Sequence, residues 1–342
     1  MRAGVVEITG PEFISGWAAD NGAHLPAHVY ATLDGTVVGF ARADIRRPDL
    51  EGLAAKGELF AHAFLILFDQ PLPPDALARI EVRSLHADTP LDRGGRMRID
   101  GSPKLQIFVL GSPRSGTSEL AATLTDHFAL PWMGEGHSAP QFAAAADALT
   151  GDAASPNDLP RFMAQQGYRN IAIDAVRRAY YFMHGSASFL DKTPGVPMIR
   201  AAPFLAEAFP QAHFIYVQRN GVSNVLSRMV KFGGRFDEHC ADWAASVKAW
   251  HAVRSHLPNV LELRQETMLN HPGDVAFQLA DSLGQIEAAN PIADRLASGT
   301  RERTGAGIGR DTLEATGWSD DEQKVFRYHC DFAMTLAGYA IT

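Results

Sequence analysis

At 342 residues, 46% hydrophobic and 20% charged, the chain is long enough for two domains and too apolar to be disordered. A formal net charge of −8, with no dense Lys/Arg run, argues against a nucleic-acid binder but leaves room for a small basic pocket. Two cysteines, Cys240 and Cys330, are too few for a disulfide scaffold and read as buried small hydrophobes in a reducing compartment.

The start of the chain lacks an apolar h-region, and Glu7 and Glu12 interrupt it early, so no signal peptide is expected. No apolar run is long enough to span a membrane, and the expected setting is cytoplasmic. Residues 13–18, 27–33, 36–43, 62–68 and 78–85 read as strands separated by Pro and Gly. Asp34-Gly35 between two of them is a strong hairpin signal, because the tight turn needs positive φ. Only residues 50–57 hint at a helix. The pattern predicts a small all-β sandwich over 1–100. Residues 91–104, with Gly94-Gly95 and Gly101-Ser102-Pro103, read as a linker.

From residue 105 the pattern changes. The apolar runs 105–110, 213–218 and 260–263 read as buried parallel strands. Helices are expected over 116–128, 139–149, from about 223, and over 242–256, 274–283 and 320–336, with further helices filling the intervals. Alternating strands and helices predict a P-loop-type parallel α/β sheet flanked by helices over 101–342. Trp243 and Trp250 share one helical face and are expected in the core.

Gly111-Ser112-Pro113-Arg114-Ser115-Gly116-Thr117-Ser118 lies between the first buried strand and its helix. Glycines and small residues let backbone N–H groups face an anion, and the helix dipole adds to the attraction. An ATP or GTP loop carries a lysine where Thr117 stands. Without it the loop suits one phosphate with a neighbouring sulfate better than β- and γ-phosphates with Mg²⁺. An ordinary strand–helix turn is the plainer alternative, and the full string is too specific for it. The string resembles the 5′-phosphosulfate loop of the sulfotransferases, in the Pro-Arg-Ser-Gly-Thr form of the tyrosylprotein and many bacterial members.

That family binds the 3′-phosphate of its donor with an Arg and a Ser after a later strand. Arg219 and Ser227 follow the run His213-Phe214-Ile215-Tyr216-Val217-Gln218 at the matching interval of eight residues. Arg219 would leave the C-terminal end of a strand, where α/β proteins bind ligands, and its fork suits a phosphate. Looser similarities are Asp191-Lys192-Thr193-Pro194, the stretch Leu263-Arg264-Gln265-Glu266-Thr267-Met268 with Gln and Thr in place of the family's Tyr and Asp, Gly317-Trp318 and Gly338-Tyr339. The resemblance covers roughly 105–341. The first hundred residues are similar to small β-sandwich modules attached to bacterial glycosyltransferases and sulfotransferases, with Gly16-Trp17-Ala18 and Arg47-Pro48-Asp49-Leu50 among the cues. A packing or homodimerisation role is preferred for them over sugar binding.

The resemblance implies 3′-phosphoadenosine 5′-phosphosulfate as cosubstrate, no metal, and a small-molecule or glycan acceptor. It implies donor binding by Arg114, Ser115, Gly116, Thr117, Ser118, Arg219 and Ser227. Arg114 would also stabilise the bridging oxygen as the bond to sulfur breaks. Met133-Gly134-Glu135-Gly136-His137 falls where the tyrosylprotein branch carries its base, making Glu135 the first candidate and His137 the second. Lys192 is a candidate contact for the transferring sulfate, or else a surface lysine in a turn. Arg301, Arg303 and Arg310 are candidates for a loop over the 3′-phosphate. The rivals are a P-loop kinase and a catalytically lapsed carbohydrate-binding or scaffold protein.

Overall fold

The computed structural model describes residues 4–19, 26–48, 61–85, 90–99, 105–151, 157–298 and 311–340. Contacts divide the chain into two compact units, Met1–Lys104 with Arg178–Ser188, and Leu105–Arg177 with Phe189–Thr342.

The first unit carries β1 (Gly4–Thr9), β2 (Phe13–Ala18), β3 (His28–Leu33), β4 (Thr36–Arg42), β5 (Ile45–Arg46), β6 (Ala61–Leu67), the short α1 (Pro74–Leu77), β7 (Ile80–Ser84) and β8 (Asp92–Ile99). They form a five-stranded sheet, β5-β6-β2-β1-β8, and a three-stranded sheet, β4-β3-β7. Val6, Ile14, Phe64 and Ile66 from the first sheet share a core with Val29, Ala31, Ala41 and Val82 from the second, which makes the sandwich. Alternation produces it: Val29 and Ala31 point inward, and Tyr30 between them does not. The β3–β4 turn places Asp34 at φ 50° and Gly35 at φ 84°, as the Asp-Gly signal predicts. Arg178 and Tyr181 belong to this unit; Arg178 donates to the Leu65 carbonyl at 2.8 Å, and Tyr181 stacks on Phe13 at 5.1 Å.

The stretch expected to be a linker is a correction. Residues 92–99 are β8, paired parallel to β1 from Val5↔Asp92 to Thr9↔Ile99. The register passes from Val6↔Arg93 to Ile8↔Arg98, so Gly94-Gly95 falls in a bulge. Turn-type glycines mark an irregular edge strand here. The helix hinted at 50–57 lies outside the described residues.

The second unit runs β9 (Gln106–Gly111), α2 (Thr117–Phe128), α3 (Ala139–Thr150), α4 (Leu159–His184), β10 (Phe189–Lys192), α5 (Val196–Ala208), β11 (His213–Gln218), α6 (Gly221–Phe232), α7 (Phe236–Val253), β12 (Val260–Arg264), α8 (Gln265–Asn270), α9 (Pro272–Ser282), α10 (Ala289–Ser298) and α11 (Asp320–Leu336). α4 continues into the segment that groups with the first unit. The sheet is β10-β9-β11-β12, with every pair parallel. All four strands therefore end at one edge, where Lys192, Gly111, Gln218 and Arg264 lie. Every residue of β9 is buried, as a central strand covered on both faces requires.

One face of the sheet packs Ile107, Val109, Ile215 and Val217 against Leu120, Leu124 and Leu279. A second core joins α6, α7 and α11 through Val222, Val225, Trp243, Phe326 and Met334. Trp243 and Trp250 are buried as expected, and Trp250 stacks on Tyr216 at 4.5 Å. Cys240 and Cys330 are both buried thiols. β10 has no counterpart in the sequence reading: four residues carry too little periodicity to announce a strand.

Candidate active site at the carboxyl edge of the parallel sheet

β9 ends on Gly111 because nothing larger fits: a Cβ there would stand 2.5 Å from the Val217 carbonyl of β11. The chain then turns through Ser112 and Pro113 into Arg114 at φ 72° and Gly116 at φ 94°, both left-handed. Ser115 between them is not left-handed, so successive amides turn toward one side, an anion-binding nest at the amino end of α2. Ser115 and Thr117 are buried and Ser118 is half-buried.

A non-glycine residue in the left-handed region costs roughly 1–2 kcal/mol and persists only when its surroundings hold it. Here they do. The Arg114 Nε donates to Ser227 Oγ at 3.3 Å, and the Arg114 carbonyl accepts from Arg219 Nη1 at 3.0 Å. The two motifs, more than a hundred residues apart in sequence, thus meet on one loop. Arg219 itself is 5% exposed at the end of β11. Burial pulls its pKa below the usual guanidinium value, and the Arg114 charge pulls the same way against Glu266 and Asp311. A charge held under such stress favours an anion beside it.

Gly116 faces α8: a Cβ would stand 3.0 Å from Gln265 Cγ. Gly116→Ala is therefore expected to cost about 1–2 kcal/mol of conformational strain. Thermal melting should show the loss of stability.

Two further side chains of α6 were not singled out in the sequence. Asn224 Nδ2 donates to the Pro113 carbonyl at 3.0 Å and to Ser115 Oγ at 3.1 Å. Arg228 donates from Nη1 to Ser112 Oγ at 3.2 Å and from Nη2 to Asp242 at 2.7 Å. Its Nε donates to His239 Nδ1 at 3.2 Å, which requires the tautomer whose Nε2–H faces the Gly233 carbonyl. The signal was present: 220, 224, 227 and 228 lie on one helical face. Asn220 caps that helix by accepting from the Val222 amide at 2.9 Å.

Glu266 fastens the β11–α6 turn. It accepts from the Asn220 amide at 2.8 Å and from Tyr339 OH at 2.9 Å. The loosely matching Arg-Gln-Glu-Thr segment and the terminal Gly-Tyr are thus joined in one support. Burial, reinforced by Glu266, raises the Tyr339 hydroxyl pKa, so Tyr339 stays a donor across the ordinary pH range. Glu266→Ala removes the acceptor for both groups. It is expected to lower the melting temperature by several degrees.

The second cluster stands at the ends of β9 and β10. Lys192 is 5% exposed, the last residue of β10, and its Nζ meets Glu135 Oε1 at 2.5 Å. This corrects the alternative of a surface lysine in a turn. Its ammonium also stands 6.0 Å from the Trp132 ring. His137 Nε2 lies 3.1 Å from Glu135 Oε2. The segment carrying Glu135 is pinned from below: the Gly136 amide donates to Thr193 Oγ1 at 3.1 Å, and Thr193 donates to Asp191 at 2.7 Å. The Gly195 amide donates to the Gly111 carbonyl at 2.8 Å, fixing this turn against the loop.

The candidates accordingly fall into two contact sets, Arg114–Arg219–Ser227 on the nest and Glu135–Lys192–His137 beside it. Arg301, Arg303 and Arg310 lie outside the described residues. Among the described residues no group of three His, Cys, Asp or Glu is placed to hold a metal ion, and no helix is long and apolar enough to cross a membrane.

A parallel sheet whose first strand feeds a nest at a helix amino end, ringed by arginines, defines a P-loop-like α/β enzyme. A family model described as the sulfotransferase family matches residues 106–286, from β9 through the turn after α9. The chain belongs to the sulfotransferase family, and is a transferase. Similar solved structures include the sulfotransferase domain of the Synechococcus PCC 7002 olefin synthase, 18% identical, covering 70% of this chain and 97% of that one, with a TM-score of 0.42. The sulfotransferase domain from the curacin biosynthetic pathway is 18% identical, covering 70% and 99%, with a TM-score of 0.41. Sulfotransferase STF9 from Mycobacterium avium is 15% identical, covering 70% and 78%, with a TM-score of 0.38. No curated protein matches the chain.

Proposed function

We propose that the protein moves a sulfuryl group from 3′-phosphoadenosine 5′-phosphosulfate to a hydroxyl or amine acceptor. The observation that carries this reading is the meeting of Arg114, Arg219 and Ser227 on a nest without a lysine at Thr117. Two guanidinium groups, one of them stressed by burial and by the other, call for a ligand with more than one anionic group. The donor supplies an activated sulfuryl group on a phosphate. In this reading the amides of 115–118 hold the 5′-phosphate, Arg219 and Ser227 take the 3′-phosphate, and Arg114 stabilises charge on the leaving oxygen.

Transfer then depends on alignment. The acceptor oxygen or nitrogen forms a bond to sulfur as the bond from sulfur to the phosphate oxygen breaks. Adenosine 3′,5′-bisphosphate leaves, and the acceptor proton passes to Glu135. Lys192 holds Glu135 in place and, in this reading, contacts the transferring sulfate.

The test is thermal stabilisation. Adenosine 3′,5′-bisphosphate at a hundred times its dissociation constant should add about 2.7 kcal/mol to stability. ATP with Mg²⁺ should add little. Stabilisation by ATP with Mg²⁺ and none by the bisphosphate would turn the reading to a kinase.

A further inference from the structure

Asn224 sits where a polar side chain is unfavourable. It is 0% exposed, inside α6, and asparagine is a poor helix former. Its side-chain amide is only half used. Nδ2 donates to the Pro113 carbonyl at 3.0 Å and to Ser115 Oγ at 3.1 Å. Oδ1 is buried with no hydrogen-bonding partner among the described residues. The Pro113 carbonyl only accepts, so the nitrogen must face it and the oxygen must face away. A buried carbonyl without a donor carries a penalty that a leucine of similar size would not. The penalty stands at a point where two acceptors need one group with two donors.

What that group holds is the bend of the loop. Pro113 and Ser115 flank Arg114, whose φ of 72° is left-handed. One side chain therefore spans the strained residue, tying the backbone before it to the hydroxyl after it. Ser227 and Arg219 grip Arg114 itself, and Arg228 reaches Ser112, so Asn224 supplies the link across the bend. The direction of the nest amides follows from that bend. The side chains of Arg219 and Ser227 come instead from the end of β11 and from α6, outside the loop.

We infer that Asn224 is a positioning residue for the 5′-phosphate end of the donor: its bridge from Pro113 to Ser115 keeps the nest in its anion-binding shape before the ligand arrives. The inference rests on the transfer reading above. Asn224 acts through the loop and not on the ligand. A loop that must be ordered on binding takes its ordering cost out of the affinity, and a loop already held does not. The effect is confined to one end of the ligand. Adenosine 5′-monophosphate places its phosphate on the nest, whereas adenosine 3′-monophosphate places it on Arg219 and Ser227.

Calorimetry on the full chain tests this with adenosine 3′,5′-bisphosphate titrated directly and the two monophosphates measured by competition against it. Asn224→Leu removes both donors at similar size, and Asn224→Ala serves as the second variant where leucine does not fit. A neutral hydrogen bond corresponds to roughly fivefold in affinity, so losing two should weaken the bisphosphate and the 5′-monophosphate by roughly ten- to thirtyfold. The 3′-monophosphate should bind the variants as it binds the unaltered protein. A residue that served stability alone would lower the melting temperature without separating the two monophosphates. Unchanged bisphosphate affinity in the variants, or a loss for the 3′-monophosphate as large as that for the 5′-monophosphate, overturns the positioning inference while the donor reading stands. Failure of the bisphosphate to bind the unaltered protein overturns the donor reading, and the inference with it.

Discussion

Arg219→Ala is expected to weaken adenosine 3′,5′-bisphosphate by on the order of a hundredfold, read by calorimetry. A hydrogen bond to a charged group is worth roughly 1.5–3 kcal/mol, which is about ten- to a hundred-and-fifty-fold in affinity. The upper part of that range applies because Arg219 is buried and pre-positioned by its bond to the Arg114 carbonyl. The ligand-free protein should respond differently. Burial and the neighbouring Arg114 charge both disfavour the Arg219 cation, so its removal relieves stress as well as losing contacts. The melting temperature without ligand should therefore change much less than the temperature with saturating bisphosphate. Arg114→Ala should weaken binding to a similar degree, and Ser227→Ala by a smaller factor, since a neutral hydroxyl contributes about 1 kcal/mol. Unchanged affinity in both arginine variants would remove the site assignment.

The contrast between what the chain announced and what it concealed follows from range. The nest was legible because its requirements are local: a buried run, glycines at 111 and 116, and small residues leading into a helix. The Arg219–Ser227 pair was legible because its interval of eight residues after a buried strand resembles the family's pattern. Asn224 and Arg228 sit on the same helix face and could have been found by extending that count. Glu266 and Tyr339 were visible only as loose similarities. Their function as one support for the Asn220 amide depends on β12 lying beside β11, which no spacing declares. β8 was hidden by its own glycines, and β10 by its length. Lys192 changes character for the same reason: as the end of a strand it is buried and paired, whereas a lysine before Thr-Pro reads as a turn.

That pairing makes Glu135→Gln the sharper experiment on the chemistry. The variant is expected to lose turnover by 10²–10⁴-fold, the usual range for a well-placed general base, while binding adenosine 3′,5′-bisphosphate as tightly as the unaltered protein. Glu135 is also the counterion of a nearly buried lysine, so a purely structural role must be separated from a chemical one. Its carboxylate is over a third exposed, so the stability cost of the amide should be about 1–2 kcal/mol, less than for a fully buried pair. Removing the stranded charge as well, in Glu135→Gln with Lys192→Met, should return most of that stability, since the ammonium no longer needs a partner. It should return none of the turnover, because neither variant can accept the acceptor proton at that atom. His137→Gln supplies the control for the second candidate: an imidazole that only neighbours the carboxylate can be lost for a several-fold drop in rate. An active Glu135→Gln protein paired with an inactive His137→Gln would move the base to the imidazole, 3.1 Å away.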